Sequence, residues 1–244
     1  MAEAVEPGLS PERYRNGVDP VSDRVAIVVG AGGLLGRTVA SKLAADGFNV
    51  VGVDRSEEGL RELPDRTVVG DASDPAVAKA LIDRIVADVG PPAVLVNTLG
   101  AFTMGDALAA TSEDLRLMID VNAGAALWLT QAVAPHMEQA GSGAIVHVSA
   151  RPGLEPTSGM AAYSLGKAAL THLIRVLDLE LRPKGIRVNA VAPQLIDNPK
   201  NRAYFPAEVM AHSVTPEAIT QVIAFLAGDA SAPVSGAILP TYGA

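Results

Sequence analysis

Seven short apolar runs, each followed by a turn signal, constrain the fold of this chain more than any other feature. "RVAIVV", "FNVVGVD", "RTVVGD", "AVLVNT", "GAIVHVS", "GIRVNAVA" and "GAILPTY" are rich in Val and Ile, residues whose branched side chains suit a pleated, packed surface. Most are separated by segments with helical periodicity, at 33–46, 74–89, 112–139, 160–181 and 215–227. Runs that stay apolar, instead of alternating with polar residues, belong to strands buried on both faces, the situation of a parallel sheet. The chain is therefore expected to be α/β: a doubly wound, parallel seven-stranded sheet with helices on both faces. One domain over 23–244 accounts for the alternation, preceded by a polar, Pro- and Gly-rich segment, 1–22, expected to be a flexible N-terminal arm. The longest connection without clear periodicity, 193–214, has the length of a functional lid or binding loop.

Composition removes several function classes. Cysteine is absent, so disulfides, iron–sulfur clusters and thiol nucleophiles are excluded and a reducing compartment suits the chain. A net charge of −8 without a basic block gives no electrostatic reason to expect nucleic acid or an anionic membrane as partner. The first residues carry acids where a secretory signal needs a positive stretch and an apolar core, and no uninterrupted apolar run reaches about 18 residues. A cytoplasmic protein with a small-molecule partner is expected. His136, His147, His172 and His212 lack ligand spacing, so no metal is expected; His147 reads as a strand residue beside the core.

The segment "VAIVVGAGGLLGRTVASKLAADG" places Gly30, Gly33 and Gly36 across a strand-to-helix turn. Such a turn needs positive φ and no side chain where a diphosphate meets the backbone, and the helix N-terminus then offers its free N–H groups to the phosphates. Strand, turn and helix follow the order of the Rossmann dinucleotide fingerprint. Asp54, about twenty residues on, is either a ribose acceptor or an ordinary strand-end acid. As an acceptor it would repel a 2′-phosphate. Arg55 beside it offsets that repulsion in part, yet no basic residue occupies the turn, so NAD(H) is favoured and NADP(H) stands second. Asp71, after the third strand, either reaches the adenine or belongs, with Ser73 and Asp74, to a helix N-cap.

Tyr163 and Lys167 in "YSLGK" are four residues apart, one above the other on a helix. A neighbouring ammonium and a helix N-terminus both favour phenolate, so the tyrosine pKa is expected to fall.

Taken together, these residues resemble the short-chain dehydrogenase/reductase family, and the resemblance runs from Arg24 to Ala244. Its marks are "GAGGLLG", "NTLG", Asn122 in "VNAGA", "YSLGK" and "RVNAVAPQLID". The resemblance implies an NAD(P)-dependent oxidoreductase that moves hydride between nicotinamide and a carbonyl, imine or alcohol. It makes Tyr163 the acid or base, Lys167 the ribose anchor and pKa tuner, and Asn122 the holder of a water in the proton relay. It extends the cofactor site from the glycine turn, with Leu34 and Leu35, to Asp54, Arg55, Asp71 and Ala72. Asn97, Gly100, Pro193, Ile196 and Asn198 complete that site beside Tyr163 and Lys167. It also implies a homo-oligomer, tetramer or dimer, through long helices, which the apolar "GAALWL" would suit.

The family's serine, thirteen residues before the tyrosine, is Ala150 here. Ser149 should point to the opposite face, which leaves Thr157 and Ser158 as replacements from the loop. Leu34 stands where many members have another Gly, Thr98 and Leu99 replace an Asn-Ala pair, and Gln194 replaces a Gly. Ala150-Arg151, "SGMAAY" and "IDNPKNR" are similar to the branch that contains dihydropteridine reductase, which also lacks the serine. Lys200, Arg202, Tyr204 and Phe205 either meet an anionic or planar substrate or are simply solvated. A nucleotide-binding sensor that has lost catalysis with the serine is the rival expectation.

Overall fold

The computed structural model describes residues 24–63 and 66–243; the N-terminal arm expected at 1–22 lies outside them. Seven strands form one parallel sheet: β1 (Val25–Val29), β2 (Asn49–Asp54), β3 (Arg66–Val69), β4 (Pro92–Asn97), β5 (Gly143–Val148), β6 (Ile186–Pro193) and β7 (Ile238–Thr241). Their spatial order is β3-β2-β1-β4-β5-β6-β7. The first three strands run outward in one direction and the next four in the other. The reversal between β1 and β4 opens a crevice above the strands' carboxyl ends, where such sheets bind ligands.

The apolar runs follow from burial on both faces. In β1, Val25, Ile27 and Val29 face one core, and Ala26 and Val28 the other, as the two-residue period of a strand requires. On the second face lie α1 (Leu34–Ala45) and, packed against it, α9 (Pro216–Ala227), which bring Val39, Leu43, Ile219 and Ile223 over the sheet. The first face is covered by α3 (Pro75–Asp88), α5 (Ala125–Ala140) and α6 (Ala161–Leu181), through Ile82, Ile85, Leu129, Val133, Leu170 and Ile174. Residues 57–60 form the short α2 (Glu57–Leu60).

Local chemistry fixes the helix starts. Asp74 accepts from Ala76 N and Val77 N ahead of Pro75 in α3, and Thr215 accepts from Ala218 N ahead of Pro216 in α9. Each such cap contributes about 1 kcal/mol. The helix expected at 112–139 is divided: α4 (Ser112–Ile119) passes through a π-helical turn, Asp120–Gly124, into α5. Within this turn Asn122 Nδ2 donates to Met118 O at 3.0 Å. Over the whole of Ser112–Ala140 one stretch is long and apolar enough, by length and composition alone, to cross a membrane. Polar and charged residues interrupt that stretch, so no uninterrupted apolar run of about 18 residues lies in it. Here α5 packs on α3, β4 and β5 as a core helix.

The segment after β6 is not plain loop. It contains α7 (Pro199–Tyr204) and α8 (Ala207–Met210), and a parallel bridge between Ile196 and Val214 closes its base. Asn198 starts α7 by accepting from Asn201 N at 2.8 Å. Helices of four to six residues are too short to leave a periodic signature in sequence.

Candidate active site

The glycine turn is built as the sequence expects. Gly30 has φ +79°, and a Cβ there would sit 2.5 Å from Thr98 Oγ1. A Cβ on Gly36 would lie 2.7 Å from Gly30 C and 2.8 Å from Ala31 Cα, so only glycine lets α1 pack onto the turn. Gly33, the N-cap of α1, supplies no side-chain acceptor, and the first turn contains no acid. Its N–H groups are left to face an anion. Asp54 stands at the end of β2, where Oδ2 accepts from Gly32 N at 3.0 Å and Oδ1 from Ser56 N at 2.9 Å. The carboxylate thus ties strand to turn.

Above this turn lies a cleft of about 400 Å³, lined by Gly30, Gly33, Leu34, Leu35, Gly36, Gly100, Tyr163, Lys167, Pro193, Ile196 and Asn198 among the expected residues. Asp54, Arg55, Asp71 and Ala72 are not in its wall. Ala72 is in the core, Arg55 lies 4.0 Å from Asp71, and Asp71 accepts from Ser73 N and Ser73 Oγ, which hold its carboxyl below the usual range. Asp74 is the N-cap of the following helix, so Asp71 with Ser73 belongs to the N-cap region, the second of its two expected roles. Asn97 also lies beneath the cleft: Oδ1 accepts from Leu99 N at 3.0 Å and Nδ2 meets His147 Nδ1 at 3.2 Å.

Tyr163 and Lys167 stand one turn apart near the start of α6, and both reach the cleft. The half-buried tyrosine ring stands edge-on to Phe102, with centroids 4.9 Å apart, and its hydroxyl has no protein partner among the described residues. Lys167 is buried; Nζ donates to Val148 O at 2.8 Å and lies 6.0 Å from the tyrosine centroid. Burial pushes the lysine pKa down to about 8 and the tyrosine pKa up to about 12. The expected lowering of the tyrosine pKa is thereby corrected: desolvation of the buried phenolate outweighs the pull of the ammonium and of the helix N-terminus.

Asn122 is buried below the cleft floor. Its Nδ2 donates to Ala101 O and Met118 O, and its Oδ1 accepts from Ala101 N. A Cβ on Gly100 would lie 3.0 Å from Asn122 Oδ1 and 3.2 Å from Lys167 Nζ; the two side chains converge there.

At Ala150 the wall offers only a methyl group. Ser149 Oγ is turned to Thr171 Oγ1 at 3.0 Å. Thr157 and Ser158, expected as replacements, are exposed outside the cleft wall, because the loop that carries them runs away over the surface. Of the four loop residues singled out earlier, Lys200 and Phe205 line the cleft. Arg202 is paired with Asp197, and Tyr204 packs edge-on against Phe205. Phe102, Pro152, Met160, Gln194 and Leu195 also line the wall, as do Thr98, Ala101, Val148, Ser149 and Asn201, and were missed as site residues. Except for Met160, at the N-cap of α6, their position at or past the ends of β4, β5 and β6 is the signal that points to them. Among the described residues no group of three His, Asp or Glu side chains comes together.

The family model described as "short chain dehydrogenase" matches residues 24–209. The chain belongs to the short-chain dehydrogenase family. It is 36% identical over 244 residues to cis-4-hydroxycyclohexanecarboxylate dehydrogenase of Sinomonas cyclohexanicum, covering 91% of this chain and 96% of that one. With galactitol 2-dehydrogenase of Rhizobium johnstonii it shares 35% over 236 residues, 88% of this chain and 91% of the relative. The aldohexose dehydrogenase structure from Thermoplasma acidophilum superimposes with a TM-score of 0.83 at 26% identity, covering 92% of this chain and 94% of that one. As a short-chain dehydrogenase the protein is an NAD(P)-dependent oxidoreductase.

Proposed function

We propose that this dehydrogenase interconverts a secondary alcohol and its ketone on a mainly apolar body, using NAD(H), with Tyr163 exchanging the proton at the substrate oxygen. The observation that carries the reading is the presence of Tyr163, Lys167 and the glycine turn in one cleft. The dinucleotide fits these residues: the turn is a cradle that a Cβ at Gly30 or Gly36 would fill, and it ends in an α1 N-terminus without a side-chain cap. When bound, the nicotinamide supplies or takes up the hydride. The protein's own part is to hold the substrate oxygen and to balance its charge. In reduction, the C=O electron pair moves to oxygen as the carbon gains hydride, and Tyr163 gives that oxygen its proton.

A phenol with a pKa near 12 is protonated at neutral pH and ready to donate. Lys167, ammonium at that pH, spends one N–H on Val148 O and has two left for ribose hydroxyls. Asn122, at the π turn next to Lys167, holds the outer end of the proton relay. The Asp54 carboxylate at the turn disfavours a 2′-phosphate and supports NAD(H). Phe102, Met160, Leu195 and Phe205 favour an apolar substrate body, which agrees with the ring substrate named for the Sinomonas relative.

The protein would work in the cytoplasm as a homo-oligomer through its long helices, where Leu127 and Trp128 of α5 are only partly buried. Ala125, Ala126 and Leu129 of "GAALWL" are in the core. The unpartnered apolar stripe is on α6, where Leu165, Val176 and Leu179 are exposed.

A screen of NADH and NADPH oxidation against cyclic and aliphatic ketones, with Tyr163→Phe as control, tests the reading. Tyr163→Phe should lose about 10²–10⁴-fold in kcat and keep its NADH affinity. Undiminished turnover in that variant would refute it.

A further inference from the structure

Reduction of a ketone builds negative charge on its oxygen, and a site that stabilises this charge normally aims a second donor at it besides the proton source. At Ala150 the wall has none, and Ser149, Thr157 and Ser158 are spent or outside the wall. Asn198 and Asn201 line the cleft, but both direct their side-chain amides to Ile196 O. Gln194 differs. Its Oε1 accepts from Arg151 Nη1 at 2.9 Å, and its amide NH₂ has no partner among the described residues.

The orientation of this amide is decided by chemistry. A guanidinium has only donors, so the oxygen must face Arg151 and the NH₂ must face the other way. Arg151 is itself fixed: Nε donates to Glu155 Oε2 at 2.7 Å, and Cζ lies 4.9 Å from the Tyr242 ring centroid. Tyr242 Oη donates to Glu155 Oε1 at 3.3 Å and closes the cluster. Residues from two other parts of the chain thus hold the Gln194 amide at the wall shared with Ala150 and Tyr163.

We infer that Gln194 Nε2, held by Arg151, donates a hydrogen bond to the substrate oxygen in place of the donor missing at Ala150. The inference rests on the dehydrogenase reading above. Gln194 is then a catalytic residue and Arg151 a positioning residue; no covalent step is added.

Gln194→Glu keeps the shape and the Arg151 contact but removes both donors. It should lower kcat by about 10²–10³-fold, with NADH affinity, read by fluorescence titration, unchanged. Gln194→Leu should lose comparably, and adding Ala150→Ser to it should restore at least tenfold, a rescue that a merely structural role would not give. Arg151→Met should lower kcat more than it raises the substrate KM, and Arg151→Lys should recover part of the loss. If Gln194→Glu stays within twofold of wild type, or Ala150→Ser gives no rescue, the inference is overturned while the dehydrogenase reading stands. Wild-type protein without turnover on any ketone would instead bring down that reading.

Discussion

Replacing His147 by Gln should remove about 2 kcal/mol of the stability that the protein loses between pH 7 and pH 5. His147 is fully buried in β5, and its pKa is pushed from 6.5 down to about 3, first by burial and then by the Lys167 charge. Asn97 Nδ2 can only donate, so His147 Nδ1 accepts, and the ring's single proton sits on Nε2, 3.2 Å from Thr130 Oγ1. Both nitrogens are used by the neutral ring. The unfolded chain takes up a proton below pH 6.5, and the folded chain refuses it until about pH 3. The contribution is therefore complete above pH 6.5 and is lost as the pH falls toward 3. Each pH unit inside that window costs about 1.4 kcal/mol, so most of the loss at pH 5 comes from the last one and a half units. Urea unfolding of wild type and His147→Gln at both pH values measures it, because the carboxylates common to both proteins cancel in the double difference. A double difference below about 0.5 kcal/mol would refute the buried neutral imidazole.

Three further outcomes are expected. Asp54→Ala should raise the NADPH-to-NADH ratio of kcat/KM at least tenfold, and it should also weaken both cofactors because Gly32 N loses its acceptor; an unchanged ratio would dissociate Asp54 from cofactor choice. Gly36→Ala should weaken dinucleotide binding and cost about 1–3 kcal/mol in chemical unfolding, since its Cβ meets backbone at Gly30 and Ala31. Arg187→Met should cost about 2–3 kcal/mol without touching cofactor affinity: the guanidinium donates to Leu226 O, Gly228 O and Ser231 Oγ behind α9, remote from the cleft.

The sheet was readable in the sequence because burial on both faces writes itself as unbroken Val and Ile runs, Gly30 because of its positive φ, and Gly36 because a side chain there would meet the Gly30 backbone. The pairing of Tyr163 with Lys167 was readable from spacing alone. What escaped depended on side chains meeting across long separations. The burial of the Tyr163 phenol leaves no trace in local sequence, and its desolvation reversed the expected direction of the tyrosine pKa. The π turn around Asn122 escaped because one inserted residue barely disturbs helical periodicity. Gln194 read as a mere loss of glycine until Arg151, 43 residues away, was found holding it.

The base of the segment after β6 is pinned twice, by Asp197 N donating to Val214 O and Val214 N donating to Leu195 O, both at 2.8 Å. That clasp insulates the sheet from whatever lies between. Substitutions, insertions or a wholesale graft within 199–213 can reshape the substrate's side of the cleft while β6 and the nicotinamide end keep their register. A scaffold closed off in this way can acquire new alcohols by exchanging one cassette, with the proton-transfer machinery on α6 left as it was.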